Sequence, residues 1–303
     1  MADLGRYSDR RPRGSLIRVV RYEAQNVMPE SKPKELDPDI ASYYSRAPEA
    51  LRLEQGPSQL EFVRTFELIE RFIPPPPAVV LDVGGGPGPY AIRLADRGYQ
   101  VHLIDPVPGL VEEAQRRSDA GTRPLASCRI GDARHLDWAS DAADAILLLG
   151  PLYHLPEAGE RTLALAEAFR VLRPGGLLLA AGISRFASAL DGLVRDLFSD
   201  PDFAGIVERD LEAGQHRNPT PRLDYFTTAY FHHPEELRHE VAAAGFAVEG
   251  LYGLEGPGWM LQDFDRRWSD PRARADLLRV ARAVETESSL LGLSAHLLVV
   301  GRR

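Results

Sequence analysis

Residues 79–90 read Val-Val-Leu-Asp-Val-Gly-Gly-Gly-Pro-Gly-Pro-Tyr, and no other stretch narrows the fold so far. An apolar run carries Asp82 near its end and passes into a glycine cluster. A helical pattern follows through Ala91, Ile92, Leu94 and Ala95. This order predicts a buried strand, a tight loop and a helix N-terminus. Gly84, Gly86 and Gly88 place no side chain between the backbone and a ligand, so a phosphate, carboxylate or nucleoside can come close.

The rest of the chain repeats the theme. Apolar strands are predicted at 79–83, 100–104, 127–130, 145–149, 177–181, 246–251 and 295–301. Helices are predicted at 89–97, 110–117, 161–172, 233–244 and across most of 271–291. The runs Ile146-Leu147-Leu148-Leu149 and Leu177-Leu178-Leu179 are apolar at every position, as in strands covered on both faces. Alternation at this spacing predicts a doubly wound α/β fold with a seven-stranded, mostly parallel sheet.

Two regions stand outside the alternation. Residues 1–38 are polar and proline-bearing, and a mobile N-terminal tail is expected there, ahead of one domain at 39–303. Helices are expected from Asp39 to Phe72, ended by Pro74–Pro77. Residues 182–230 are too long for a simple connection and are expected to form an inserted lid over the ligand site.

Composition excludes several classes. The 303 residues carry a net charge of −8, which opposes a nucleic-acid partner. Cys128 is the only cysteine, so there is no intramolecular disulfide and no cysteine-based zinc site. No apolar run reaches the ~20 residues of a membrane span. Arg6, Arg10, Arg11 and Arg13 lack an apolar signal core beside them. A cytoplasmic protein without a resident metal is the expectation, and a homodimer is a candidate assembly.

A glycine loop after a first strand serves dinucleotides or S-adenosylmethionine. The dinucleotide pattern G-x-G-x-x-G/A fits Gly84 and Gly86, but Pro89 stands where the third small residue packs. The acid Asp82 followed by Gly84, Gly86 and Gly88 instead resembles the first motif of the class I S-adenosylmethionine-dependent methyltransferases. Asp105 at the end of His102-Leu103-Ile104-Asp105, and Gly131-Asp132-Ala133 after the third strand, extend the resemblance. So do Asp144 to Gly150 and Arg173-Pro174-Gly175-Gly176. It covers roughly residues 60–182 well and 233–303 in outline.

The resemblance implies a Rossmann-like methyltransferase fold and S-adenosylmethionine as cofactor. It implies that Asp105 binds both ribose hydroxyls and that Asp132 lies near the adenine amino group. The expected cofactor set is Asp82, Gly84, Gly85, Gly86, Gly88, Asp105, Pro106, Asp132, Ala133 and Leu149. Tyr44 and Arg52 join it from the helices ahead of the first strand, with Arg52 or Arg64 facing the methionine carboxylate.

Candidate catalytic residues are His154, His232 and Glu255. Candidate substrate contacts are Tyr153, His216, Arg217, Tyr230 and Trp259. The expected activity is methyl transfer to an oxygen or nitrogen of a small molecule. A methyltransferase for protein or RNA, and a non-catalytic cofactor-binding regulator, are the alternatives. An Asn/Asp-Pro-Pro-Tyr motif is missing after the fourth strand, where Gly150-Pro151-Leu152-Tyr153 stands. That counts against amino methylation of nucleic acid.

Overall fold

A computed structural model of the chain describes residues 36–46 and 49–303. Most of the expected tail, residues 1–35, lies outside the described residues. Three helices come first: α1 (Pro38–Arg46), α2 (Glu49–Arg52) and α3 (Ser58–Phe72). Then β1 (Val79–Val83), α4 (Pro89–Asp96), β2 (Gln100–Asp105), α5 (Pro108–Ala120), β3 (Ser127–Ile130) and β4 (Ala143–Leu148) alternate. A 3-10 turn at Pro151–His154 leads to α6 (Ala158–Val171) and β5 (Leu172–Ser184). Next come α7 (Ala187–Arg195), α8 (Pro201–Ala213), β6 (Gln215–His216) and β7 (Ala229–His232). The alternation resumes with α9 (Pro234–Ala243), β8 (Ala247–Gly253), α10 (Phe264–Ser269), α11 (Pro271–Val284) and β9 (His296–Arg302).

The principal strands lie in the order β3-β2-β1-β4-β5-β9-β8. Neighbouring pairs from β3 to β5 are parallel, and β9 runs antiparallel between β5 and β8. The expected doubly wound α/β sheet is therefore present, with a short β6–β7 pair added against the C-terminal end of β5, on the edge opposite β9. Successive strand residues feed opposite cores. Val80, Leu147 and Leu179 pack with Leu68, Leu94 and Ala114 of α3, α4 and α5. Leu81, Ile146, Leu148 and Leu178 pack with Leu165, Ala168 and Val241 of α6 and α9. This two-sided burial is why the central strands have no polar alternation.

The boundaries differ most at β5. It begins at Leu172 and pairs with β4 across a register shift between Ala143 and Ala145. The Pro174-Gly175-Gly176 segment is absorbed as an irregularity, with Gly175 at φ +84°. Beyond Ala181, β5 continues because Ile183 and Ser184 pair with Phe231 and His232 of β7. The inserted region thus starts after Ser184. Its helices carry a small core of Phe203, Ile206, Val207 and Tyr225. No helix among the described residues is long and apolar enough to cross a membrane.

Candidate functional site

The parallel strands end at one edge of the sheet, where open α/β sheets bind ligands. Along that edge lies a cavity of about 400 Å³. Its first half is built on the loop after β1. Gly84 has φ +71°, and a Cβ there would stand 2.7 Å from the Pro151 ring, so only glycine fits. Gly86 has φ +55° and faces open space. Pro89 opens α4, where a missing N–H costs nothing.

Asp105 organises this loop. Its Oδ2 accepts from the Gly86 N–H at 2.9 Å and its Oδ1 from the Val107 N–H at 2.8 Å. A carboxylate oxygen can accept more than one hydrogen bond, which suits ligand hydroxyls. Asp82 lies beneath the loop, 1% exposed, and its Oδ2 has no hydrogen-bond partner. Burial, and then the charge of Asp105, push the Asp82 carboxyl up to about 7, against the Ala91 N–H. A buried acid with an orphaned oxygen beside a cavity suits a cationic ligand group. Asp132 also lines the cavity, held by Arg134 through its N–H at 2.8 Å and its Nε at 3.0 Å.

The second half is aromatic and hydrogen-bonded. Tyr44 of α1 meets His154 Nε2 at 2.7 Å, and His154 Nδ1 lies 3.4 Å from the Thr228 carbonyl. The carbonyl can only accept, so Nδ1 carries the proton and Nε2 accepts from Tyr44. Burial drops the His154 pKa to about 4. Farther along, Arg52 donates to both oxygens of Glu61, at 2.7 and 3.1 Å. His296 joins them from the start of β9, its Nδ1 2.6 Å from Glu255 Oε1. Glu61, Glu255 and His296 come close enough to span a cation, yet Arg52 and the imidazole already bond those carboxylates.

Comparisons with known proteins bear on this site. A family model described as a methyltransferase domain matches residues 80–176. A ubiquinone biosynthesis O-methyltransferase of Azorhizobium caulinodans is 32% identical over 58% of this chain and 61% of its own length. The chain therefore spans about three fifths of that relative. A ubiquinone/menaquinone biosynthesis C-methyltransferase of Bartonella henselae is 32% identical over 60% of this chain and 70% of its own. The chain belongs to the class I S-adenosylmethionine-dependent methyltransferase family. In fold, it is similar to an S-adenosylmethionine-dependent methyltransferase of Mesorhizobium loti. There the TM-score is 0.53 at 15% identity, over 80% of this chain and all of the other.

S-adenosylmethionine is the cofactor that this methyltransferase family and fold imply, and the donor half fits it. The orphaned Asp82 oxygen suits an ammonium, the Asp105 carboxylate on the cavity wall suits ribose hydroxyls, and the open space at Gly86 admits the chain between them. Gly85, Pro106, Ala133 and Leu149 also line the cavity, as do Tyr44, Arg52 and Tyr153. Gly88 instead packs behind the loop against Leu103.

Several residues singled out in the sequence lie elsewhere. Arg64 is fully buried and paired with Glu67 and Glu285 rather than facing the cavity. His232 is also fully buried, 3.3 Å from Glu240, and burial lowers its pKa. His216 is locked between Asp210 Oδ2 at 2.8 Å and the Tyr225 carbonyl at 2.9 Å. Arg217 donates to the His216 carbonyl, and Tyr230 sits under the Arg161 guanidinium at 3.8 Å. Trp259 donates to the Leu293 carbonyl at 2.8 Å, away from the cavity lining. Glu255 touches the site only through His296. Glu61 and His296 line the cavity and carry no motif. The one cue to His296 is a polar residue at the mouth of an apolar strand run.

Proposed function

We propose that the protein transfers the methyl group of S-adenosylmethionine to an oxygen or nitrogen of a small molecule. One observation carries this reading: a single cavity runs from the Gly84–Gly86 loop and Asp105 to Tyr153, His154 and His296. Donor and acceptor can therefore meet in one continuous space. When bound, the cofactor supplies a methyl group already activated on a sulfonium. The chain then has to hold both partners in line and keep water out.

Asp105 fixes the ribose hydroxyls, and Asp82 receives the ammonium. Tyr44 and the Pro151–His154 turn close the space from above β4. The inserted region contributes Phe226, which packs on Tyr43 and His154, and Thr228, whose carbonyl orients the His154 ring. This contact supports the role of residues 182–230 as a lid. The A. caulinodans relative, named as an O-methyltransferase, supports a small acceptor methylated at oxygen. The B. henselae relative, named as a C-methyltransferase, favours a second reading in which a ring carbon is the acceptor.

Calorimetric titration with S-adenosylhomocysteine tests the donor half. Stoichiometric binding is expected, and no binding by the folded protein would sink the reading.

A further inference from the structure

The acceptor end of the cavity holds an acid–imidazole pair that the donor site does not use. His296 begins β9 opposite Ile183 of β5, at the ligand-binding edge of the sheet. Glu255 holds it twice: Oε1 lies 2.6 Å from Nδ1, and Oε2 accepts the His296 backbone N–H at 3.1 Å. Glu61 of α3 stands 3.7 Å from the same Nδ1, and Arg52 of α2 is bonded to Glu61. Among the described residues, Glu61, Glu255 and Arg52 are the charged groups that face this ring.

A carboxylate oxygen accepts, so Nδ1 carries the proton, and in the neutral ring Nε2 then holds the lone pair. Among the described residues no group bonds Nε2, and His296 lines the cavity. Burial disfavours the imidazolium, but Glu61 and Glu255 outweigh it and raise the pKa above the usual histidine value. His154 is the opposite case. Its Nε2 already accepts from Tyr44, and its pKa near 4 makes it a weak base at neutral pH.

We propose that His296 is the general base of the transfer, positioned by Glu255, and that the acceptor is a hydroxyl on an apolar, ring-bearing molecule. This rests on the methyltransferase reading above. The acceptor oxygen bonds the methyl carbon as the S–CH3 bond breaks and its electron pair passes to sulfur. The hydroxyl proton passes to Nε2, and Glu255 and Glu61 stabilise the imidazolium until it loses the proton to water. A phenolic hydroxyl, with a pKa of about 10, needs such a base, whereas a neutral amine arrives with its lone pair free. Ile40, Phe62, Tyr90 and Leu254 give the cavity wall the apolar character that a ring prefers.

The test uses the full chain with methyl-labelled S-adenosylmethionine and four probes: catechol, phenol, 4-nitrophenol and aniline. Catechol or phenol should be methylated. His296→Asn should lower kcat for it by at least about 100-fold, with S-adenosylhomocysteine affinity within about twofold. The loss should be small for 4-nitrophenol at pH 8, where it arrives already ionised; a merely structural defect would spare neither probe. His296→Gln and thermal melts guard against misfolding. In the wild type, nitrogen NMR should show a proton on Nδ1 of His296 and a titration midpoint above the usual value. Glu255→Gln should lower that midpoint.

Full catechol or phenol turnover by His296→Asn overturns the proposal. So does methylation of aniline alone, or of no probe, by a chain that binds S-adenosylhomocysteine. A requirement for added Mg²⁺ or Zn²⁺, abolished by EDTA, would assign the trio to a cation and overturn it too. Failure to bind S-adenosylhomocysteine would instead reject the methyltransferase reading itself.

Discussion

The Tyr44 hydroxyl stands 2.7 Å from Nε2 of His154, so α1 is fastened to the turn after β4 by a bond inside the cavity wall. The rings meet edge to face at 5.3 Å, and Tyr43 packs on Phe226 of the inserted region at 5.4 Å. Ile40 is the only buried residue of this nine-residue helix, and these ring contacts join it in fastening the helix.

Tyr44→Phe should therefore loosen α1 without unfolding the domain. It keeps the ring packing but leaves Nε2 of a half-buried histidine without its Tyr44 partner, a cost of about 1 kcal/mol. Hydrogen exchange over residues 38–46 should quicken by at least about tenfold, while exchange in β1 and β4 stays slow. Equal protection of α1 in the variant would show that the bond does not hold it.

His154 also makes a prediction about acid. Its folded pKa of about 4 lies below the usual 6.5, so below pH 6.5 the unfolded chain takes up a proton that the folded chain refuses. Stability falls from this source as pH drops from 6.5 to 4, and the loss is complete below the folded value. Urea titrations at pH 7, 5.5 and 4.5 should show a steeper fall for the wild type than for His154→Asn, by up to about 3 kcal/mol. Parallel curves would contradict the assignment.

Asp82 should couple cofactor binding to protons. Its carboxyl titrates at about 7, raised by burial and by Asp105. An ammonium placed against it favours the ionised form, so binding below pH 7 releases a proton. Affinity for S-adenosylhomocysteine should climb between pH 5 and 7, by up to about tenfold per pH unit. Asp82→Asn should flatten that climb, and calorimetry in buffers of different ionisation enthalpy would count the proton.

Asp105→Ala removes two hydrogen bonds to the loop backbone as well as the expected ribose acceptors. Affinity for S-adenosylhomocysteine should fall by roughly 2–4 kcal/mol. Losing the neighbouring charge should also bring the Asp82 carboxyl down. A variant with wild-type affinity would remove Asp105 from the site.

The glycine-loop side of the cavity was readable in the sequence because its residues are local. Asp82, Asp105 and Asp132 each sit at or near the end of a strand, and Gly84 to Gly88 adjoin the first of them. The acceptor half is assembled by pairing register, which leaves no short signature. His296 reaches Glu255 only because β8 and β9 pair and bring residues 41 apart together. Glu61 sits within the helical pattern of α3 and gives no sign that it turns inward. The polar run at 214–219 offers His216 and Arg217 as substrate contacts. His216 within it is nevertheless buried, because its neighbours Asp210 and Tyr225 satisfy both ring nitrogens.

The antiparallel insertion of β9 between β5 and β8 has a consequence for how the chain folds. Every strand of the donor half precedes β9 in sequence and can pair without it. Until β9 docks, however, β5 presents the unpaired edge Leu177–Ile183, apolar throughout apart from Gly182. Such an edge is a template for another molecule's strand. A sheet without β9 would thus carry an open pairing edge, and the strand that brings His296 to the cavity also covers it.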